Sequence, residues 1–126
     1  HMSGNMLSRW TDFLTSDGEK EWRNRDAEFD TSVNNREDLL AFWNKGWQCL
    51  SEALEQLREN DLDKIVYIRN EGHTVLEAIN RQLAHYPYHV GQIVFLAKML
   101  NEKGSGRGLV SICAAGGQGV VAIIEK

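Results

Sequence analysis

Apolar residues fall at helical spacing in three stretches of this chain, and one is unusually regular. Leu76, Ile79, Leu83, Tyr86, Val90, Ile93, Ala97 and Leu100 alternate three and four apart, which predicts a helix from residue 75 to about 100. Thr74 can cap it, with Glu77 three residues on as in a capping box. A second helix is predicted from Asn35, its cap, to about Asn60, with Asp38 at the third helical position. Its stripe is Leu39, Trp43, Trp47 (or Gly46), Leu50, Leu54 and Leu57. At that spacing Trp43 and Trp47 read as core rather than as an aromatic binding box. Cys49 lies off the stripe and reads as an unreactive helix residue. Met2, Met6, Trp10 and Phe13 or Leu14 predict a first amphipathic helix over residues 1 to about 15, without an evident cap.

The remaining stretches lack this period. Ser16-Asp17-Gly18 is a turn signal, and residues 19–34 form a polar connection in which Trp22 and Phe29 are the expected anchors. Asp61-Leu62-Asp63 ends the second helix, and residues 64–69, K-I-V-Y-I-R, favour an extended segment. Residues 70–73 read as a turn, with His73 a turn or capping residue. Residues 104–108 are a glycine-rich link. Beyond it, residues 109–113 and 120–124 are β-type runs around a glycine-rich loop, which predicts a hairpin. The expected division is a helical domain over residues 1–103 and a tail over residues 104–126.

Length and charge narrow the function classes. A chain of 126 residues with 42% apolar and 25% charged residues is one globular domain by size and composition. A net charge of -4 argues against nucleic-acid or anionic-membrane partners, which favour clustered Lys and Arg. No apolar run reaches membrane-spanning length and no signal peptide is visible, so the cytoplasm is the expected location. The two cysteines, Cys49 and Cys113, imply no disulfide framework. The one proline, Pro87, stands inside the longest predicted helix, where a kink or π-bulge is expected.

Pro87 is flanked by the chemistry. His85 and His89 are four residues apart, so both rings emerge from one helix face and can share a divalent metal. A zincin would carry Glu directly after the first histidine; Tyr86, Pro87 and Tyr88 fill the interval instead, which argues against a metalloprotease. A third ligand must come from elsewhere. His1 is the candidate if the first helix packs beside the last, and His73 is a poorer one. Hydrogen-bonded structural histidines are the alternative reading.

L-S-R-W-T-D-F-L-T-S-D-G-E-K-E-W-R-N-R-D-A-E-F and I-N-R-Q-L-A-H-Y-P-Y-H-V-G-Q-I-V resemble the DinB/YfiT-like superfamily over residues 1 to about 101, most specifically in H-x-x-x-H-x-x-Q. The resemblance implies a four-helix bundle that holds a divalent metal through three histidines, one from the second helix and two from the last. His85 and His89 match the last-helix pair, and His1 falls at the second-helix ligand. The family's first helix would precede His1. The fold expected is therefore all-α, a DinB-like up-down bundle lacking its first helix, with a short C-terminal β-type tail. The gap left in the bundle would be filled by a second subunit, giving a homodimer, or by the tail. His1-Met2 also has the form of a remnant left by an expression vector.

The function implied is a metal-dependent thiol S-transferase-type enzyme using a small thiol cosubstrate and zinc, nickel, iron or manganese. Gln92 and Tyr88 would neighbour the metal. A non-catalytic metal-binding or structural protein, or an inactive truncated or fused fragment, is the alternative. Residues 106–126 resemble the C-terminal end of thiolases (acetyl-CoA acetyltransferases), with Cys113 matching the acid/base cysteine and Ala115 replacing a glycine. The thiolase nucleophilic cysteine and catalytic histidines have no counterpart, so Cys113 is expected to be catalytically idle, and a fusion or frameshift would explain the tail.

Overall fold

The computed structural model describes residues 1–29, 35–114 and 118–125, with side chains described as far as Arg107, apart from Phe29. The described residues form three α-helices and two antiparallel hairpins. This is a mixed α/β chain, so the all-α expectation is overturned, and three helices do not make the four-helix bundle of the resemblance. The chain divides into two compact units, residues His1–Leu83 and Ala84–Lys126.

In the first unit α1 (Met2–Trp10) is buried nearly all round, including Ser3, Gly4, Asn5, Ser8 and Arg9 as well as Met2, Met6 and Trp10. It is a central helix rather than an amphipathic surface one. Ser8 and Arg9 are tolerated inside because they find partners. Ser8 Oγ donates to the Gly18 carbonyl at 3.1 Å and accepts from the Lys20 N–H at 2.9 Å, while Arg9 Nε donates to the Gly18 carbonyl. The helix stops at Trp10, short of the expected residue 15. Thr11 turns extended, Asp12 takes a positive φ of 49°, and the Asp12 carbonyl accepts from both the backbone and the hydroxyls of Thr15 and Ser16. Such local hydroxyl bonds compete with helix continuation. Phe13 folds back onto Trp10, ring centroids 4.5 Å apart.

α2 (Arg36–Glu55) begins as predicted: Asn35 accepts a hydrogen bond from the Asp38 N–H at 2.8 Å. It ends before the expected Asn60, and a 3-10 turn at Glu59–Asp61 follows. Its buried contact is narrower than the expected stripe, with Gly46 and Leu50 inside and Leu39 and Leu54 exposed. Trp43 and Trp47 are half-buried, with ring centroids 5.7 Å apart. A Cβ on Gly46 would stand 2.9 Å from Ser3 Cα and 3.1 Å from Met6 Sδ, so the missing side chain lets α1 and α2 approach closely.

β1 (Ile65–Ile68) and β2 (Glu71–Thr74) pair from Ile65↔Thr74 to Ile68↔Glu71. Residues 70–73, expected to form the turn, mostly belong to the second strand, and His73 is a strand residue opposite Val66. The turn is Arg69-Asn70, whose φ values of 56° and 64° are those a two-residue type I′ connection requires. Val66 and Ile68 point inward and Ile65 and Tyr67 outward, the period of a half-buried strand. Asp17 ties the hairpin to the loop after α1, its carboxylate accepting from the N–H groups of Glu19, Arg69 and Asn70.

α3 (Val75–Lys103) carries the predicted cap in full: the Thr74 N–H donates to Glu77 Oε2 at 2.8 Å and the Glu77 N–H to Thr74 Oγ1 at 3.1 Å. Its buried face is not the predicted one. In the first unit Val75, Ala78 and Gln82 are buried, while Leu76 and Leu83 are exposed. In the second unit Tyr86, His89, Leu96 and Leu100 are buried, and Ile93 is exposed. Of the predicted stripe only Tyr86 and Leu100 are fully buried, with Ile79 and Val90 half-buried. Val94, Phe95 and Met99 are exposed as well, so apolar residues surround this helix and the pattern could not choose its inward face. Around Pro87 the helix is α-helical throughout, without the expected π-bulge.

The second unit continues through Gly104 (φ 75°), where a left-handed residue ends the helix. β3 (Arg107–Ala114) and β4 (Gln118–Glu125) then form the tail hairpin, paired from Arg107↔Glu125 to Ala114↔Gln118. Residues 115–117, in the expected glycine-rich loop, lie outside the described residues. No helix among the described residues is long and apolar enough to cross a membrane.

Candidate metal centre

His85 and His89 stand on successive turns of α3, which already fixes both rings on one face. Their Nε2 atoms are 2.9 Å apart, and the rings meet edge to face with centroids at 4.6 Å. Metal-free, one Nε2 must be protonated and the other must accept. The spacing also suits shared coordination. Two nitrogens each about 2.0–2.1 Å from one ion lie roughly 2.9–3.4 Å apart for angles between about 90° and 110°.

The surroundings favour uncharged rings. His89 is buried and His85 half-buried, so His89 lies on the inward face of α3. Burial holds the His89 pKa below the ordinary 6.5, against an opposing influence of the Gln92 side chain. A neutral ring at physiological pH keeps a lone pair for a cation. Gln92 is therefore a neighbour of His89. Tyr88 is another, its ring 5.4 Å from that of His89, although it is itself largely exposed.

His1, in the other unit, is held by a different device. It occupies the N-cap position of α1 without capping it, and its Nδ1 lies 2.8 Å from Glu28 Oε2. Glu28 is grasped by Arg23, Nε to Oε1 at 2.7 Å and Nη2 to Oε2 at 2.9 Å. Arg23 also reaches Glu19, and Glu19 reaches Arg69 on the hairpin turn. The side chains of Arg23 and Glu28 are only 2% and 7% exposed. Within residues 19–29 this buried ion pair is the anchor. Trp22, expected to fill that role, is 61% exposed, and the Phe29 side chain lies outside the described residues. No periodicity flags an Arg and a Glu five apart in a polar stretch; their pairing is a tertiary event.

The other residues singled out in the sequence are placed elsewhere. The His73 Nε2 lies 3.9 Å from Glu71 Oε2 within the hairpin. Cys49 Sγ lies 3.6 Å from Thr11 Oγ1 and 3.9 Å from the Met6 carbonyl, as a structural thiol would. Cys113 is a β3 residue paired with Gly119, and its side chain lies outside the described residues.

A family model described as "Protein of unknown function (DUF1572)" matches residues 1–113, a span that includes His1, His85 and His89 and runs into β3. No curated protein and no solved structure matches the chain. Through a match that spans most of its length, this chain belongs to the DUF1572 family.

Proposed function

We propose that this protein holds one divalent metal ion through His1, His85 and His89, and that its family is a branch of the DinB/YfiT-like superfamily. The observation that carries the reading is the 2.9 Å approach of the His85 and His89 Nε2 atoms on adjacent turns. Each of the three histidines offers one ring nitrogen. A set of three imidazoles suits zinc, nickel, iron or manganese and leaves at least one coordination position open. An ion held there would lower the pKa of a thiol or water that it binds. Burial of His89 favours the uncharged form of that ligand.

The reaction proposed is transfer of a small thiol to an electrophile in the cytoplasm, as the superfamily resemblance suggests. A non-catalytic metal-binding role is the second reading. It is favoured by Tyr86-Pro87-Tyr88, which leave no acid or base between the two ligands. The thiolase-like tail is assigned no activity. A homodimer belongs to the same proposal: Leu39, Leu40 and Phe42 leave an exposed apolar stretch on α2 that a second copy would cover.

Elemental analysis of protein purified without chelators tests the site. About one metal per chain is expected, with near-complete loss on His85→Ala or His89→Ala; metal-free wild-type protein would sink the assignment. Thiol-transfer assays on metal-loaded protein with a panel of electrophiles then separate the two readings. Light scattering after size exclusion tests the dimer, which a monomeric mass would contradict.

A further inference from the structure

We infer that the buried amide of Gln82 helps bind the small thiol, its Oε1 accepting a hydrogen bond from an N–H or O–H group that the thiol carries; the inference rests on the metal and thiol reading above. Gln82 lies on α3, three residues before His85 and seven before His89. At about 100° per residue, the three side chains leave the helix within roughly 60° of one another. Helical pitch alone therefore puts an amide on the side of α3 that carries the two imidazoles.

Gln82 is 5% exposed, and its Oε1 is buried without a hydrogen-bond partner among the described residues. Other polar residues buried to this degree are served differently. Ser8 makes two hydrogen bonds, and His89 meets His85. A buried carbonyl oxygen left unmet has lost its hydrogen bonds to water without replacement, so such an atom is rare and calls for a reason. Packing does not supply one. Leucine would fill much the same space without a polar atom, and the same face of α3 is apolar at both ends, with Val75 and Ala78 before Gln82 and Leu96 and Leu100 after His89. The face turns polar only around the histidines.

What the amide lacks identifies its ligand. A carboxamide oxygen accepts and cannot donate, so its partner must be a donor. A thiol bound as the thiolate has given up its S–H proton, so the donor must sit elsewhere on the molecule, on a hydroxyl, ammonium or amide group. A site with an unmet acceptor discriminates against an analogue that lacks the donor, because that analogue leaves the oxygen unpaired.

The test uses two neutral thiols of closely similar size, 2-mercaptoethanol and 1-propanethiol, which differ by a hydroxyl in place of a methyl. Each is titrated into the cobalt(II)-loaded full-length protein in anaerobic buffer and followed by visible absorption. Wild type should bind 2-mercaptoethanol roughly 3–10-fold more tightly, and Gln82→Leu and Gln82→Met should each lose that preference. Equal binding by wild type, or a preference that survives in the variants, would overturn the inference while leaving the metal site standing. Cobalt-loaded wild type that binds neither thiol would overturn the thiol reading and the inference with it. Wild type that takes up no cobalt would overturn the three-histidine site as well. Urea unfolding of the metal-free proteins is the second readout. Both variants remove an unmet acceptor, so the midpoint of at least the better-fitting one should equal or exceed that of wild type. A lower midpoint in both would mean that the fold itself uses the amide, and would overturn the ligand role.

Discussion

His85 and His89 owe their meeting to the helix, whereas His1 owes its setting to residues 22 and 27 positions away. The pair on α3 needs only the pitch of an α-helix and a buried face to bring two nitrogens within 2.9 Å. His1 depends on Glu28, on Arg23, and on the loop that carries both. The first arrangement is local and survives most changes made elsewhere. The second is assembled by charges that are stable inside only while they remain paired.

That contrast breaks most visibly at Arg23. Arg23→Met removes the partner of a buried carboxylate, and equilibrium urea unfolding should show a loss of roughly 3–5 kcal/mol. The His85 and His89 NMR signals should change little. A loss under about 1 kcal/mol would mean that the ion pair behaves like an ordinary exposed one.

Gly46→Ala probes the packing that holds α1. In an open helix Ala is better than Gly by about 1 kcal/mol. Here the added Cβ meets Ser3 Cα at 2.9 Å, so a net destabilisation of about 1–3 kcal/mol is expected in thermal or urea unfolding. A stabilised variant would contradict the close approach of α1 and α2.

Thr74→Ala tests the local side, since it removes one half of the capping box that starts α3. It should cost about 1 kcal/mol, visible as a lower midpoint of the circular dichroism melt. An unchanged midpoint would mean that packing alone sets the start of the helix.

The smallest effect is expected at Asp17 and is seen in acid. Burial acts to raise its carboxyl pKa, but the N–H groups of Asn70, Glu19 and Arg69 outweigh that and hold it below the ordinary 3.8. The folded value is depressed, so the contribution is full above the unfolded value and disappears as pH falls through the folded one. Asp17→Asn should therefore flatten the decline in stability below about pH 4. An identical acid profile for the variant would remove Asp17 from that account.

Much of the local structure was readable in the residues. Asn35 with Asp38 and Thr74 with Glu77 announced two helix starts, because a cap needs only a side chain and an N–H a few residues apart. Two β-type runs around a glycine-rich loop announced the tail hairpin. The inward face of α3 was not readable. Leu76, Leu83 and Ile93 formed a regular stripe that the structure leaves exposed, whereas Val75, Ala78, Gln82 and His89 are buried. The β1–β2 turn was misplaced by a residue or two, because Arg69 and Asn70 adopt left-handed backbone where glycine is the usual signal. With that turn went the expectation of an all-α chain.

By itself, then, the sequence determined what depends on neighbours along the chain: where helices begin, where the tail hairpin lies, and that His85 and His89 share a helix face. Only the tertiary structure decided which face of α3 is buried, that α1 is a central helix, and that Arg23 and Glu28 stand inside with Glu28 against His1. The physical reason is range. Helical pitch and capping act over three or four residues, while burial and ion pairing are set by whatever surface the folded chain brings alongside.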